Sequence, residues 1–164
     1  MNKQQVKAII KLLKSKELEA RPALQQVFEQ GGHLWATDGY ICFDICEAQD
    51  ELKGKRATLQ DLIAWNATHT KPVDMVGFEV FTENEHSEPQ MLTLVDTEFK
   101  PSTDIRIDID KLKLACDFMG CKSISLETST KNDKLYRLKP LVQDEVPIII
   151  RAMESKAYIM GLYG

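Results

Sequence analysis

Long hydrophobic runs are missing from this sequence. No apolar stretch approaches the roughly 18 residues that a membrane span needs, and the lysine-rich opening lacks the apolar core of a signal peptide. The expected compartment is the cytoplasm, with no membrane partner. No Gly/Ser linker or low-complexity tract divides the chain either, so its 164 residues are read as one domain, 1–164, of a size that buries about 70% of its unfolded surface. Cysteine is sparse. Cys42, Cys46, Cys116 and Cys121 form no C-x-x-C pair: the first two lie four apart on one strand, where they are expected to share a face, and the last two bracket a helix end. Packed free thiols are the expectation. The three histidines, His33, His69 and His86, show neither H-E-x-x-H nor H-x-x-x-H spacing, so neither a metal nor a cofactor is expected.

What is present is ordinary in bulk, 43% hydrophobic and 28% charged with a net charge of −4. That sign works against long-range attraction to nucleic acid. The acids that deserve a catalytic reading are Asp38, Asp44, Asp108 and Asp110. Asp38 reads as a turn residue, Asp44 as the outer face of a strand, and Asp108 or Asp110 as a helix cap. Their spacing offers no paired-carboxylate chemistry, and no enzymatic activity is expected.

The clearest local structure is Gly31 to Cys46, GGHLWATDGYICFDIC. Two stretches of period 2, one through Leu34, Trp35 and Ala36 and one through Ile41, Phe43 and Ile45, meet at Asp38-Gly39. This predicts a β-hairpin with positive φ at the turn. Before it, Asn2 to Lys16 reads as a helix capped by Asn2, with Val6, Ile9, Ile10 and Leu13 on its buried face. Ala23 to Gln30 fits a short helix or a strand. After it, the chain is polar as far as Arg56. Thr58 then caps a helix from Leu59 to Ala67, on which Trp65 is expected in the core. Val73 to Phe81 and Met91 to Val95 are expected strands around an exposed loop, Thr82 to Gln90.

From Asp104 the alternation of Ile105, Ile107 and Ile109 predicts a strand, followed by a helix from Lys111 to Met119 ended by Gly120. Its expected buried side is Leu112, Ala115, Cys116 and Met119. Ser123 to Thr128 and Leu135 to Leu141 form a second hairpin around Lys131 to Lys134. Val146 to Ile150, with Pro147 near its start, and Lys156 to Leu162 complete the predicted strands.

Lys3, Lys7, Lys11 and Lys14 fall within roughly an 80° arc of the first helix at about 100° per residue. A solvated helix face and a surface that tracks phosphates both fit such a stripe. Four lysines on about four phosphates give a salt slope near −3.6, at about −0.9 per contact, so binding falls roughly a hundredfold between about 50 and 200 mM salt. One copy alone holds DNA poorly; the stripe suits copies arrayed around DNA.

The segment Leu34-Trp35-Ala36-Thr37-Asp38-Gly39-Tyr40 resembles the A-T-D-G-H-R-L segment of the bacterial DNA polymerase III sliding clamp family, the β subunit. A second likeness, in matching order, runs from Ile107 to Gly120 (IDIDKLKLACDFMG) to the tail Ala157-Tyr158-Ile159-Met160. The resemblance covers roughly 1–46 and 103–164 and leaves 47–102 as an insertion or remodelled segment. It implies an α+β, DNA-clamp-like fold in which two helices pack on one side of antiparallel β-sheets, with an inserted helix and strands. For Ala23 to Gln30 it favours the strand.

It further implies a non-enzymatic processivity or accessory factor of DNA replication. Lys3, Lys7, Lys11 and Lys14 would face double-stranded DNA, with Lys111 and Lys113 contributing, although Asp117 stands four residues after Lys113. A groove for a DNA polymerase or another replication protein would involve Thr37, Gly39, Tyr40, Cys42, Met160 and Leu162. The sequence departs from the family where Tyr40-Ile41-Cys42 replaces His-Arg-Leu and Gly161 replaces a proline. Because a bacterial clamp chain carries three such domains, a ring of single domains needs about six copies, a closed homo-oligomer that cyclic symmetry permits. Bacterial viruses are one setting for so reduced a version. The alternative is a clamp-fold interaction module that binds replication proteins and never encircles DNA.

Overall fold

The computed structural model describes residues 1–87, 89–141 and 155–162. Its first helix, α1 (Lys3–Leu13), opens with a capping box: Asn2 Oδ1 accepts from Gln5 N while Gln5 Oε1 accepts from Asn2 N. It stops at Leu13, earlier than Lys16, and the chain turns through a short 3-10 segment at Lys16–Leu18. Val6, Ile9, Ile10 and Leu13 are buried as the spacing required, and Ala8 and Leu12 join them. Three strands follow, β1 (Gln26–Gln30), β2 (His33–Thr37) and β3 (Ile41–Glu47), paired antiparallel.

At the β2–β3 turn Gly39 alone takes positive φ, +94°. Asp38 avoids that conformation and instead turns its carboxylate inward, where Oδ1 accepts from Tyr40 N and Ile41 N, both at 2.8 Å. The side chain thus does the work expected of a left-handed Asp-Gly backbone. Farther along, Leu34 faces Cys46 while Trp35 faces Asp44, which leaves Ile45 as an extra residue in β3. This bulge turns Cys46 onto the core beneath the helices, whereas Cys42 packs on the other face, so the two thiols do not share a side.

The segment 47–102 supplies β4 (Lys55–Thr58), α2 (Leu59–Thr68), β5 (Thr82–Glu83), α3 (Leu92–Val95) and β6 (Phe99–Pro101). Thr58 caps α2 in a reciprocal box with Asp61, and Trp65 is buried. The strand expected from Val73 to Phe81 does not form. β5 occupies the free side of β4, and the segment keeps a 3-10 turn at Phe78–Val80 and an isolated antiparallel bridge from Met75 to Asn2, with the Val73 and Met75 side chains exposed. Met91 to Val95 is also not a strand. Met91 plugs the outer face of the sheet and the next residues coil into α3.

The isoleucine alternation at 105–109 fails as a strand too. Arg106 N–H donates to the Tyr136 hydroxyl, Arg106 O accepts from Leu162 N, and Ile109 already belongs to α4 (Ile109–Met119), so no regular ladder runs through the segment. Asp108, rather than Asp110, caps α4, its Oδ1 accepting from Asp110 N and Lys111 N; Gly120 ends the helix at φ +67°. Leu112 and Cys116 are only half-buried, and Phe118 takes the central place instead, stacked on Phe43 with ring centroids 4.1 Å apart. β7 (Ile124–Ser129), β8 (Leu135–Pro140) and β9 (Lys156–Met160) complete the described strands. The strand expected at Val146 to Ile150 lies outside the described residues.

Among the described residues all pairings are antiparallel, in one nine-stranded sheet ordered β5-β4-β1-β2-β3-β9-β8-β7-β6. The fold is therefore α+β. Among the described residues its order repeats: a helix followed by three strands, α1-β1-β2-β3, meets a second helix followed by three strands, α4-β7-β8-β9, at the β3–β9 pair. Ile41, Phe43, Leu138, Ala157 and Ile159 share the core with α1, α2 and α4, which places these three helices on one face of the sheet. Gln4 near the start of α1 donates to Asp117 O near the end of α4, while Lys111 at the start of α4 reaches Glu17 just past α1, so the two helices run antiparallel and side by side. Phe28, Trp35, Cys42 and Tyr158 point to the opposite face, where Met91 covers them.

Candidate nucleic-acid face and partner cavity

The six lysines singled out by sequence separate into three kinds. Lys7, Lys11 and Lys14 are exposed along α1 and form no ion pair among the described residues. Lys3, at the end of the same stripe, is turned inward: its ammonium donates to Asn66 O at 2.8 Å, to Asn66 Oδ1 at 2.9 Å, and to His69 O. It thereby holds the carbonyl end of α2, where positive charge is favoured. Lys111 donates to the buried Asp38 Oδ2 at 2.8 Å, lies 3.8 Å from Glu17, and sits over the Tyr40 ring. Burial pulls its pKa down, but the bond to Asp38 and the nearby acids outweigh that and leave it raised. Lys113 remains exposed beside Asp117, 3.4 Å away.

On the other face lies a cavity of about 320 Å³. It gathers Thr37, Gly39, Tyr40, Cys42 and Met160, five of the six groove residues inferred from the resemblance. Leu162 is elsewhere, in a separate pocket beside Arg106 and Tyr136. The turn wall is preset: Thr37 Oγ1 donates to Ile41 O and accepts from Gly39 N, and Met160 N–H donates to Tyr40 O, tying the tail strand to the turn. Period 2 brings Tyr158 and Met160 to this side while Ala157 and Ile159 enter the core. Burial pushes the phenol of Tyr158 and the thiol of Cys42 well above their usual ranges, so both are neutral lining groups.

The remaining wall, Pro89 to Leu94, had no signal in the sequence, because it belongs to the segment the resemblance leaves unexplained. A single glutamine fixes it. Gln30 Nε2 donates to Pro89 O at 3.1 Å and Gln30 Oε1 accepts from Met91 N at 2.6 Å, while Gln30 O accepts from Trp35 Nε1. The Met91 sulfur then lies 3.5 Å from Cys42 Sγ. Arg21 stands at the mouth.

Of the four acids weighed for catalysis, Asp38 is committed to the turn and to Lys111, Asp108 caps its helix, and Asp110 lies exposed in the first turn of that helix. Asp44 is buried rather than solvated, with Oδ1 3.0 Å from His33 Nδ1. Desolvation raises its pKa and the contact with His33 offsets part of the rise. Among the described residues no group of three His, Cys, Asp or Glu side chains is placed to hold a metal ion, and no disulfide joins the cysteines. Cys116 and Cys121 touch across the end of α4; burial raises both thiols, that of Cys121 to about 11. No helix among the described residues is long and apolar enough to cross a membrane. Comparison with family models, with curated proteins and with solved structures finds no match to this chain.

Proposed function

We propose that this chain is a sliding-clamp-like, non-enzymatic accessory factor of DNA replication, which lays the α1–α4 face along double-stranded DNA and offers the cavity on the opposite face to a replication protein. The observation that carries the reading is the repeat of helix plus three strands about the β3–β9 pair, with both repeat helices side by side on one face. Such an arrangement gives a unit with a helical side to meet DNA and a sheet side to meet partners. Lys7, Lys11 and Lys14 supply the DNA contacts, sequence-independent and weak in each copy. With Lys3 committed to α2, three contacts per copy give a salt slope near −2.7, or about a fortyfold loss between about 50 and 200 mM salt.

Titrating DNA affinity against salt tests this. The expected result is that Lys7→Gln, Lys11→Gln and Lys14→Gln together remove most of the slope while Lys3→Gln does not. A slope unchanged by the triple variant overturns the assignment of that face.

A second reading is the interaction module that never encircles DNA. It is favoured by the two outer strands, β5 and β6, which have two and three residues. Pro101 in β6 also lacks a backbone donor, so the edges offer little for edge-to-edge pairing of copies.

A further inference from the structure

We propose that Cys116 and Cys121 form a redox modification site: a small-molecule disulfide oxidises the two thiols to one intramolecular disulfide, which locks the end of α4. The pair is brought together by the way the helix stops. Gly120 takes the left-handed conformation, Gly120 N and Cys121 N both donate to Cys116 O, the second at 3.2 Å, and the chain reverses around that one carbonyl. A helix end of this type brings the side chains on either side of the turn into contact, usually as an apolar pair. Here both members are cysteine, and the Cys121 thiol donates to the Cys116 sulfur.

The backbone hydrogen bond between the same two residues keeps their Cα atoms near the roughly 4.4 to 6.8 Å that a disulfide spans. Both side chains are half-buried, so a small oxidant reaches them. The other two thiols have no such arrangement, since Cys42 and Cys46 pack on opposite faces of the sheet. The site also lies where the two repeat helices meet. Gln4 of α1 donates to Asp117 O at 2.9 Å, and its amide would lie 3.2 Å from a Cβ on Gly120. A bond across the turn therefore restrains the α1–α4 contact as well as the helix end.

The step is thiol–disulfide exchange. The Cys116 thiolate attacks one sulfur of the oxidant, forms a mixed disulfide and releases a thiolate; the Cys121 thiolate then attacks the Cys116 sulfur and releases the second. The two cysteines lose two electrons and two protons, and the oxidant leaves as two thiols. Burial disfavours the thiolate at both positions and Asp117 adds to this at Cys116, while the hydrogen bond from Cys121 favours it at Cys116 and opposes it at Cys121. Cys116 is thus the attacking residue and Cys121 the resolving one.

The experiment incubates the native full chain with oxidised and reduced glutathione at about pH 8.5, where more of each thiol is ionised. The reaction is quenched with acid, the chain is unfolded and alkylated, and the cysteines are mapped by mass spectrometry. The expected product has lost two hydrogens, takes two alkyl groups rather than one on each of the four cysteines, and carries its bond between Cys116 and Cys121. Cys121→Ser is expected to stop at the mixed disulfide, with one glutathione on Cys116. In the oxidised chain, amide exchange at Gly120 and Cys121 is expected to slow about tenfold, because the closed loop restrains the opened helix end. Thiols at 116 and 121 that stay alkylatable in a large excess of oxidised glutathione, that carry one glutathione each, or that pair with Cys42 or Cys46 overturn the site. A disulfide between Cys116 and Cys121 that leaves the exchange unchanged overturns the lock.

Discussion

Asp38 joins separate parts of the molecule through one side chain. Its two oxygens serve the turn backbone and Lys111, and Lys111 in turn reaches Glu17 and covers Tyr40. Asp38→Ala leaves half-buried Lys111 with only the more distant Glu17, 3.8 Å away, and opens the turn, at an expected cost of about 3 kcal/mol. Asp38→Asn keeps an acceptor for the turn and costs less. Urea unfolding of the two variants checks the order; equal losses contradict the shared role. Glu127 gives a pH signature. Desolvation raises its carboxyl, but Arg137 at 2.7 Å and Lys139 at 3.5 Å outweigh that and hold its pKa below 4.5. The stability it adds is present above pH 4.5 and disappears as pH falls through the folded-state value. Stability measured from pH 7 to pH 3 is expected to show Glu127→Gln the less stable at pH 7 and the gap closing below pH 4.5; a gap independent of pH contradicts the assignment. Asp44, with a raised pKa, acts in the opposite direction, so the comparison with the variant, and not the raw curve, isolates Glu127.

Among the elements, the ones written in local pattern are those the sequence discloses. α1, α2, α4 and the β2–β3 hairpin follow from apolar spacing, from Asn2, Thr58 and Asp108 as caps, and from Gly39 and Gly120 at positive φ. Three alternating apolar segments misled. Val73 to Phe81, Met91 to Val95 and Ile105 to Ile109 have strand-like patterns, but a strand also needs a free neighbour, and sheet edges are assigned by contacts distant in sequence. β4 and β6, polar and short, gained theirs that way. The cavity was half legible for the same reason: its turn and tail walls lie in patterned segments, while the wall at Pro89 to Leu94 depends on two hydrogen bonds from Gln30, 59 and 61 residues away in sequence. Lys3 shows a comparable limit. The helical wheel groups it with Lys7, yet only the packing of α2 against α1 draws its ammonium onto Asn66 and His69. Lys3→Met is expected to destabilise the chain by about 1 kcal/mol through the lost cap and to hasten amide exchange in the last turn of α2. Exchange unchanged there contradicts the capping role.

At the scale of the whole molecule, the two faces differ in the groups the proposed function uses. The helical side presents Lys7, Lys11 and Lys14 despite a net charge of −4, and the sheet side presents a recess with one cation and no acid. Three lysines do not hold DNA for long at physiological salt, so the proposed function depends on several copies acting together. Light scattering of the full chain after size exclusion, with and without primed circular DNA, tests this most directly. The expected species is a closed assembly of about six copies, six times the 18.7 kDa of one chain, formed or stabilised on the circle. A species that stays monomeric or dimeric under both conditions would contradict it and leave the interaction module as the better description.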